Sequence, residues 1–201
     1  MTLEATLAAA VARRQRDGTV RSLRVLPASK VDFCSNDYLG LSRNPALTLA
    51  QDPASPHGST GSRLITGTSS THVQVEAELA AFYGAESALV FNSGYLANLS
   101  VMSCVPQEGD VVLYDKLVHN SCREGLRLSR ATALGFRHND MTHLEALLRA
   151  QSSSSRHVLV VVESIYSMDG DLAPIKTLVE LCESYGASLV VDEAHSTAVM
   201  G

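Results

Sequence analysis

The chain has 201 residues, of which 45% are hydrophobic and 18% charged, and its formal net charge is -5 at pH 7. This composition supports a buried core and excludes a solvated, disordered chain. The acidic balance lacks the basic footprint of a nucleic-acid or anionic-membrane binder, so we expect neither partner. The apolar runs are also shorter than the ~20 residues that cross a bilayer.

The cysteine pattern argues against disulfides and against a bound metal. The four cysteines form no CxxC pair, and His138 and His143 have no further ligands at the spacing of a zinc site. The pattern therefore predicts no metal site and free thiols in a reducing compartment, which favours the cytoplasm, with an organelle as the alternative. The cysteines are Cys34, Cys104, Cys122 and Cys182.

The predicted elements begin with an N-terminal helix, because Leu3, Leu7 and Val11 recur at a spacing of four residues. Glycine and proline crowd the region 40–70, which predicts little regular structure there. From residue 72 onwards, segments with helical periodicity alternate with short apolar runs rich in β-branched residues. The predicted helices are 72–83, 96–104, 119–129, 141–150 and 174–185, and the predicted strands are 88–91, 111–114, 131–136, 158–163 and 188–192.

This alternation predicts an α/β fold with a mostly parallel sheet covered by helices on both faces, in three layers. We divide the chain into an N-terminal helix with a substrate-side segment, residues 1–55, and the sheet-containing domain, residues 56–201. Ligands of such sheets bind at the carboxyl ends of the strands. The polar residues that follow each apolar run are therefore the candidate site residues.

Three strand ends carry such polar residues. Ser93 lies in a short glycine turn that opens a helix and suits a phosphate or carboxylate, although most turns of this kind are only helix caps. Glu163 begins a dense polar loop after the strand 158–163. Asp192 ends the last predicted strand and needs a cation or donor as partner, and His195 is close enough in sequence to reach the same cavity.

Two other enzyme classes are suggested by short motifs and then excluded. The sequence DEAH at 192–195 is typical of helicase-type NTPases, which also need a GxxxxGK[ST] phosphate loop. The nearest candidate, 170–177, has Ile175 where that loop needs glycine, and Pro174 removes an amide donor. A serine hydrolase is excluded because Phe91 stands where the GxSxG elbow needs glycine.

An ordered set of motifs resembles the α-oxoamine synthases, pyridoxal-phosphate enzymes of the aspartate-aminotransferase fold type. The resemblance spans nearly the whole chain after residue 33. It implies an aspartate-aminotransferase-like large domain that is truncated before the C-terminal small domain, pyridoxal 5'-phosphate as cofactor, and a homodimer when complete. The motifs are SNDYLGL (35–41), HGSTGSRLITGT (57–68), FNSGYLAN (91–98), VHNS (118–121), RHND (137–140), SMDGD (167–171) and VDEAHSTAVMG (191–201).

The resemblance also implies roles for single residues. Asp192 matches the carboxylate that pairs with the pyridinium nitrogen, and His195 matches the group that hydrogen-bonds the ring oxygen. His119 matches the histidine that stacks on the ring and contacts substrate, so these three are the candidate catalytic residues. Further cofactor contacts correspond to Ser93, Gly94, Tyr95, Glu163 and Ser167, and further substrate contacts to Arg21 and Asn36.

The activity implied by the resemblance is an acyl transfer. An acyl-CoA or acyl-carrier thioester condenses with a small amino acid, and carbon dioxide leaves. SMDGD and HND are most similar to the 8-amino-7-oxononanoate synthases of biotin synthesis, which favours alanine as the amino acid. The 5-aminolevulinate synthases, 2-amino-3-ketobutyrate CoA ligases and serine palmitoyltransferases share most of the other motifs and stay open, as does a non-catalytic partner subunit.

Two departures from the family pattern bear on activity. The Schiff-base lysine of the family lies beyond the DEAH-like motif, and none of Lys30, Lys116 and Lys176 has a matching context. We therefore expect this chain to be about the first half of a family member, as a gene fragment, an incomplete chain or a degraded copy, and to be inactive alone. Ala198 replaces a glycine that the family usually has, which we expect to crowd that turn.

Overall fold

The computed structural model describes residues 2–23, 25, 27, 29–47, 58–151 and 156–200. The chain separates into two units, Met1–Ser42 and Arg43–Gly201. The domain boundary expected between residues 55 and 56 lies outside the described residues and stays a prediction.

The first unit contains the predicted N-terminal helix, α1 (Leu3–Arg16). The hydroxyl of Thr2 accepts a hydrogen bond from the Ala5 N–H group at the start of this helix, as an N-cap does. Leu3 and Leu7 are exposed, so within the described part of this unit the apolar stripe of α1 packs against no core. The helix is confirmed, whereas a partner for its apolar face is not seen in that unit.

The second unit is built on a four-stranded parallel sheet. Its strand order is β2-β1-β3-β4, and every pairing is parallel. The central strand β3 is buried along its whole length, as expected for a sheet covered on both faces. The strands are β1 (Val111–Asp115), β2 (Thr132–Phe136), β3 (Val158–Glu163) and β4 (Ser188–Asp192).

The helices of this unit begin and end close to their predicted limits. The last of them ends at Gly186, whose φ of 64° is the left-handed conformation that terminates helices. A π-helical turn, Arg63–Gly67, precedes the first of them in sequence. The 3-10 turns Leu41–Arg43 and Pro45–Leu47 lie in sequence at the division between the two units. The helices are α2 (Ser70–Tyr83), α3 (Gly94–Cys104), α4 (Asn120–Leu128), α5 (Met141–Gln151) and α6 (Ile175–Tyr185).

Alternate residues of the strands feed two separate cores, which makes the fold three-layered. Leu113 and Val160 face a core shared with α5 and α6. Val112 and Val161, their neighbours in sequence, face a core shared with α3 and α4. This period of two is that of a β-strand with both faces buried, so the predicted α/β architecture is confirmed.

Helices α3 and α4 approach each other closely at Gly125. A Cβ atom added there would lie 2.7 Å from Met102 Cβ and 2.8 Å from the carbonyl oxygen of Leu99. Because no larger residue fits without movement of the helices, glycine sets the distance between α3 and α4. That distance brings polar side chains of the two helices together near the sheet.

The predicted strand 88–91 is wrong: no strand forms there in the described part of the chain. The Val90 N–H group donates to Glu76 Oε1 at 2.7 Å, and its carbonyl accepts from Arg63 Nη1 at 3.4 Å. Side chains thus occupy the backbone groups that a neighbouring strand would use. Arg63 also pairs with Glu76, and this contact, with the Val90 bond, lowers the pKa of Glu76 to about 2.

Helix length and polarity also bear on membranes. Across the described ranges, no helix combines the length and the apolar character needed to traverse a bilayer.

All four cysteines are free, with Cys34 and Cys104 exposed and Cys122 and Cys182 buried.

Candidate active site

A cavity of about 370 Å³ lies at the carboxyl end of β4, beside the start of α3. This is the edge where ligands of parallel sheets bind. Three separate stretches of chain supply its walls: the first turns of α3, the residue before α4, and the end of β4 with the segment that follows it. The lining residues are Gly94, Tyr95, Ala97, Asn98, His119, Val191, Asp192, Glu193, Ala194 and His195.

The N-terminus of α3 presents backbone N–H groups to this cavity. The hydroxyl of Ser93 accepts from the Leu96 N–H group at 3.2 Å, and its carbonyl accepts from Ala97. The N–H groups of Gly94 and Tyr95 come earlier and have no acceptor within the helix, so they are available to an anion. Ser93 itself acts as the helix cap and does not line the cavity.

Asp192 faces the same cavity as the last residue of β4. Its Oδ2 atom accepts from Asn98 Nδ2 at 2.7 Å, and its Oδ1 atom accepts from the Ala194 N–H group at 3.0 Å. Each carboxylate oxygen thus has one N–H donor, which fixes the plane of the group. The half-buried carboxylate keeps lone pairs for a cationic or N–H partner in the cavity.

Asn98 connects this carboxylate to His119 through a third side chain. Asn98 Nδ2 also donates to Ser121 Oγ at 3.1 Å, and Ser121 Oγ lies 2.7 Å from His119 Nδ1. The Ser121 N–H group also donates to His119 Nδ1 at 3.2 Å, so Nδ1 is an acceptor and the ring proton lies on Nε2. We call Asp192, Asn98, Ser121 and His119 the site network.

Glu163 lies beneath the cavity rather than on its wall. It pairs in register with Asp192 across β3 and β4, and it is buried. Burial, with the nearby charge of Asp192, raises the pKa of Glu163, although hydrogen bonds from the backbone N–H groups of Ser167 and His119 act in the opposite direction. The Ser167 N–H group donates to Glu163 Oε2 at 3.2 Å, and the Ser167 side chain is exposed.

His195 and Tyr95 complete the aromatic part of the wall. The Tyr95 ring meets the His119 ring edge-on, with 6.2 Å between centroids. His195 is half-buried in the turn after β4. Ala198, in the next turn, has a φ of 62°, a left-handed conformation that costs a residue with a Cβ atom free energy, as the replaced glycine suggested.

The predicted substrate residues belong to the other unit. Arg21 lines a separate cavity of about 770 Å³ together with Arg13 and Arg14. The amide oxygen of Asn36 accepts from the Tyr38 hydroxyl at 3.5 Å. Their roles toward substrate stay predictions.

The structure therefore brings together Gly94, Tyr95, His119, Asp192 and His195, and leaves Ser93, Glu163 and Ser167 off the cavity wall. It also reveals Asn98 and Ser121, which strand-end reasoning misses because both lie in helices. A signal for Asn98 existed: it follows Gly94 by four residues on a mostly apolar helix, which places both on one helix face. Among the described residues, no cluster of three or more His, Cys, Asp or Glu side chains could hold a metal ion.

Comparison with known proteins identifies relatives of similar sequence. The 8-amino-7-oxononanoate synthase of Emericella nidulans is 44% identical over 218 residues, which cover 99% of this chain and 53% of the relative. The 8-amino-7-oxononanoate synthase of Methylobacterium nodulans is 47% identical over 174 residues, 85% of this chain and 46% of the relative. The chain thus spans about half the length of the curated relatives it matches.

Solved structures with the same fold agree with these relatives. The serine palmitoyltransferase of Sphingomonas wittichii is 30% identical, with a TM-score of 0.79, over 96% of this chain and 53% of its own. A serine palmitoyltransferase solved with pyridoxal phosphate is 31% identical, with a TM-score of 0.81, over 97% of this chain and 54% of its own. An 8-amino-7-oxononanoate synthase from Francisella tularensis is 25% identical, with a TM-score of 0.64, over 83% of this chain and 46% of its own.

The family assignment rests on one further match. The sequence profile of the family described as aminotransferase class I and II covers residues 28–201. This range includes all of the sheet and all of the site network, and the solved relatives confirm the resemblance to the α-oxoamine synthases. The chain therefore belongs to the aminotransferase class I and II family.

Proposed function

We propose that this chain forms the cofactor-binding part of a pyridoxal-phosphate-dependent acyltransferase of the 8-amino-7-oxononanoate synthase type. The reaction is the condensation of an acyl thioester with alanine and the loss of carbon dioxide. One observation carries the proposal: the carboxylate of Asp192, held by Asn98 and Ala194, shares a cavity with the N–H groups that open α3. The names of the relatives support the choice of substrates.

The donor set of the cavity fits this cofactor. The N–H groups of Gly94 and Tyr95 suit its phosphate, and a Cβ atom added at Gly94 would meet nothing within 4 Å, so the approach is open. Asp192 suits a protonated pyridine nitrogen, and His195 suits the ring oxygen. When bound, the cofactor supplies an electron sink for the loss of the α-proton or carboxylate of an amino acid.

The residues of this chain contribute orientation and charge. Asp192 cannot turn without losing the bond from Asn98 or the bond from Ala194, so its negative charge stays at a fixed point of the wall. The Nδ1 atom of His119 accepts from the Ser121 N–H group, which fixes the orientation of the imidazole ring. The Nε2–H group remains a donor toward a bound ligand.

The lysines limit what this chain does alone. Lys116 and Lys176 do not line the cavity, and Lys30 belongs to the other unit. We propose that the 201-residue chain binds pyridoxal phosphate without a covalent bond and does not turn over substrate. The complete enzyme is proposed to be a homodimer, and the free cysteines support a location in the reducing cytoplasm.

The first experiment measures cofactor binding by the purified chain. Titration with pyridoxal phosphate should yield the free-aldehyde absorption spectrum, and borohydride should leave no adduct at a single lysine. Asp192→Asn should weaken binding at least about tenfold, the effect of one lost charge-assisted interaction. Asp169→Asn, in an exposed loop, is the matched control, and equal affinities for all three proteins would sink the proposed site.

The second experiment identifies the substrates. The product of the complete reading frame is offered alanine, glycine and serine against matched acyl-CoA thioesters, and release of carbon dioxide is measured. Alanine should react fastest. Fastest turnover of glycine with succinyl-CoA would assign a different α-oxoamine synthase, and co-purification of a lysine-bearing homologue would indicate a non-catalytic partner subunit.

A further inference from the structure

The motifs RHND and SMDGD meet in the structure at a cluster separate from the cavity. His138, just after β2, lies 2.8 Å through Nε2 from Asp171 Oδ2 in the loop that follows β3. Its Nδ1 atom lies 3.0 Å from Oδ1 of Asp115 at the end of β1. Asn139 adds a bond from Nδ2 to Asp171 Oδ2 at 2.8 Å. We call Asp115, His138, Asn139 and Asp171 the His138 clamp.

The clamp requires a charged imidazolium. Ionised carboxylates only accept hydrogen bonds, and both ring nitrogens of His138 face carboxylates, so both must carry protons. The Asp115 side chain is 0% exposed, against 26% for His138 and 42% for Asp171. Burial lowers the pKa of His138, but the hydrogen bonds and charges of Asp115 and Asp171 outweigh burial and leave it raised above 6.5.

One more titratable group faces the imidazolium, and it is uncharged. The Tyr166 ring packs edge-on against His138, with 4.4 Å between centroids. Burial, and next the charge of Asp115, raises the pKa of Tyr166. Asp115 also accepts from the backbone N–H groups of Leu117 at 2.8 Å and Asn139 at 2.9 Å, so its charge is met by three donors, two backbone N–H groups and the imidazolium.

The clamp fixes one side of the loop 164–173, whose two sides are joined by backbone hydrogen bonds. The Tyr166 N–H group donates to the carbonyl of Asp171 at 3.0 Å, and the Ala173 N–H group donates to the carbonyl of Ser164 at 3.0 Å. Asn139 Nδ2 also donates to the carbonyl of Leu172 at 3.1 Å. Fixing Asp171 and Leu172 therefore fixes both limbs of the loop 164–173.

This loop reaches the cavity region through Glu163, which lies beneath the cavity. The Ser167 N–H group, near the tip of the loop, donates to Glu163 Oε2, and Glu163 lies close enough to His119, which lines the cavity, for the two residues to interact electrostatically. We propose that His138 is a positioning residue: its imidazolium holds the loop 164–173, and the loop holds Glu163 beside His119 at the cofactor cavity. This inference rests on the proposed function for the identity of the ligand, but not for the clamp itself.

The test measures amide hydrogen exchange in the 201-residue chain. At about pH 6, below the ordinary histidine pKa of about 6.5, His138→Gln should accelerate exchange at Tyr166 and Ala173 at least about tenfold, because a charge-assisted bond is lost. Leu113, in the centre of the sheet, reports global opening. His157→Gln, an exposed histidine beside β3, is the control. Unchanged loop amides, or loop amides that accelerate only in step with Leu113, would overturn the clamp.

The pH dependence separates a charged clamp from simple packing. A raised folded-state pKa means that the contribution of His138 is complete below its unfolded value and is lost as pH rises through the folded value. After correction for intrinsic exchange, the loop amides of the wild type should keep their protection at about pH 6.5 and lose it as the pH rises further. His138→Gln should show no such transition, and an identical transition in that variant would contradict the charged clamp.

A cofactor titration distinguishes this inference from the proposed function. Pyridoxal phosphate should bind His138→Gln several-fold more weakly than the wild type. If the wild type does not bind the cofactor while the exchange results hold, the proposed function fails and the clamp stands. Equal affinity of the two proteins, alongside a loosened loop, would overturn the link from the loop to the cavity.

Discussion

The site network and the His138 clamp both combine histidine, aspartate and asparagine near the carboxyl ends of strands in one sheet, but the hydrogen bonds of their histidines differ. In the clamp, both nitrogens of His138 are taken by carboxylates. In the site network, Ser121 takes only Nδ1 of His119. Asp115 is fully buried, whereas Asp192 lines an open cavity.

This difference separates a cluster that stabilises the fold from a cluster that can bind a ligand. A group whose donors and acceptors are all used inside the fold must break a bond before it can take a ligand, and that cost opposes binding. A group that is oriented by two bonds and keeps lone pairs toward a cavity can bind without losing them. Histidine and aspartate thus become structural or functional according to burial and the number of partners, not according to their identity.

The largest expected effect comes from removing the buried carboxylate of the clamp. Asp115→Ala leaves the imidazolium of His138 with one partner and strands the N–H groups of Leu117 and Asn139. The free energy of unfolding, from urea denaturation, should fall by about 3–5 kcal/mol. Asp169→Ala should change it little. A decrease in the free energy of unfolding below about 1 kcal/mol would mean that the ion pair of Asp115 and His138 behaves like a solvent-exposed pair and does not hold the clamp.

A smaller loss should follow from separating the helices that carry the site network. Gly125→Ala places a Cβ atom against Met102 and Leu99 and should cost about 1–3 kcal/mol of stability. It should also weaken the bond between Asn98 and Ser121, seen as faster exchange of cofactor. Gly94→Ala, where an added Cβ meets nothing within 4 Å, is the stability control, and equal losses in both variants would refute close packing as the cause.

Removing the donor that joins the two halves of the site network should affect binding more than stability. Asn98→Leu deletes the bonds to Asp192 and Ser121, and pyridoxal phosphate should bind about tenfold more weakly, as expected for a lost bond to a charged group. Ser121→Ala leaves the bond from Asn98 to Asp192 in place and should weaken cofactor binding less. If Ser121→Ala weakened binding more than Asn98→Leu, the orientation of Asp192 would not be the main role of Asn98.

The smallest expected change is a gain in stability. Ala198→Gly relieves the left-handed backbone of the turn that follows the cavity wall, and thermal unfolding should show a gain of about 0.5–1 kcal/mol after the greater flexibility of glycine in the unfolded chain is included. Ala194→Gly, nearer the site, lacks that relief and should not stabilise. A loss on Ala198→Gly would show that the turn is not strained.

Periodicity located most of the sheet because the strands, with helices α3 to α6, face one of two cores. It failed at 88–91, where Arg63 and Glu76, distant in sequence, occupy the backbone of Val90. Strand-end logic located Asp192 and His195, since burial forces a charge at a strand end to find a partner. It could not locate the His138 clamp, because three non-adjacent segments meet there and leave no repeating pattern in the sequence.

The strand order has a consequence for the course of folding. The central pairing joins Val111 to Val158 across an intervening strand and two helices, whereas α3 and α4 are nearly adjacent in the chain. Because distant contacts are slower to form than local ones, the helix pair is expected early, and the contact of Asp192 on β4 with Asn98, 94 residues away in sequence, is expected late. Asp192 arrives only with β4, so in refolding experiments the cavity should become able to capture its ligand in the slowest phase, after most of the circular-dichroism signal has returned.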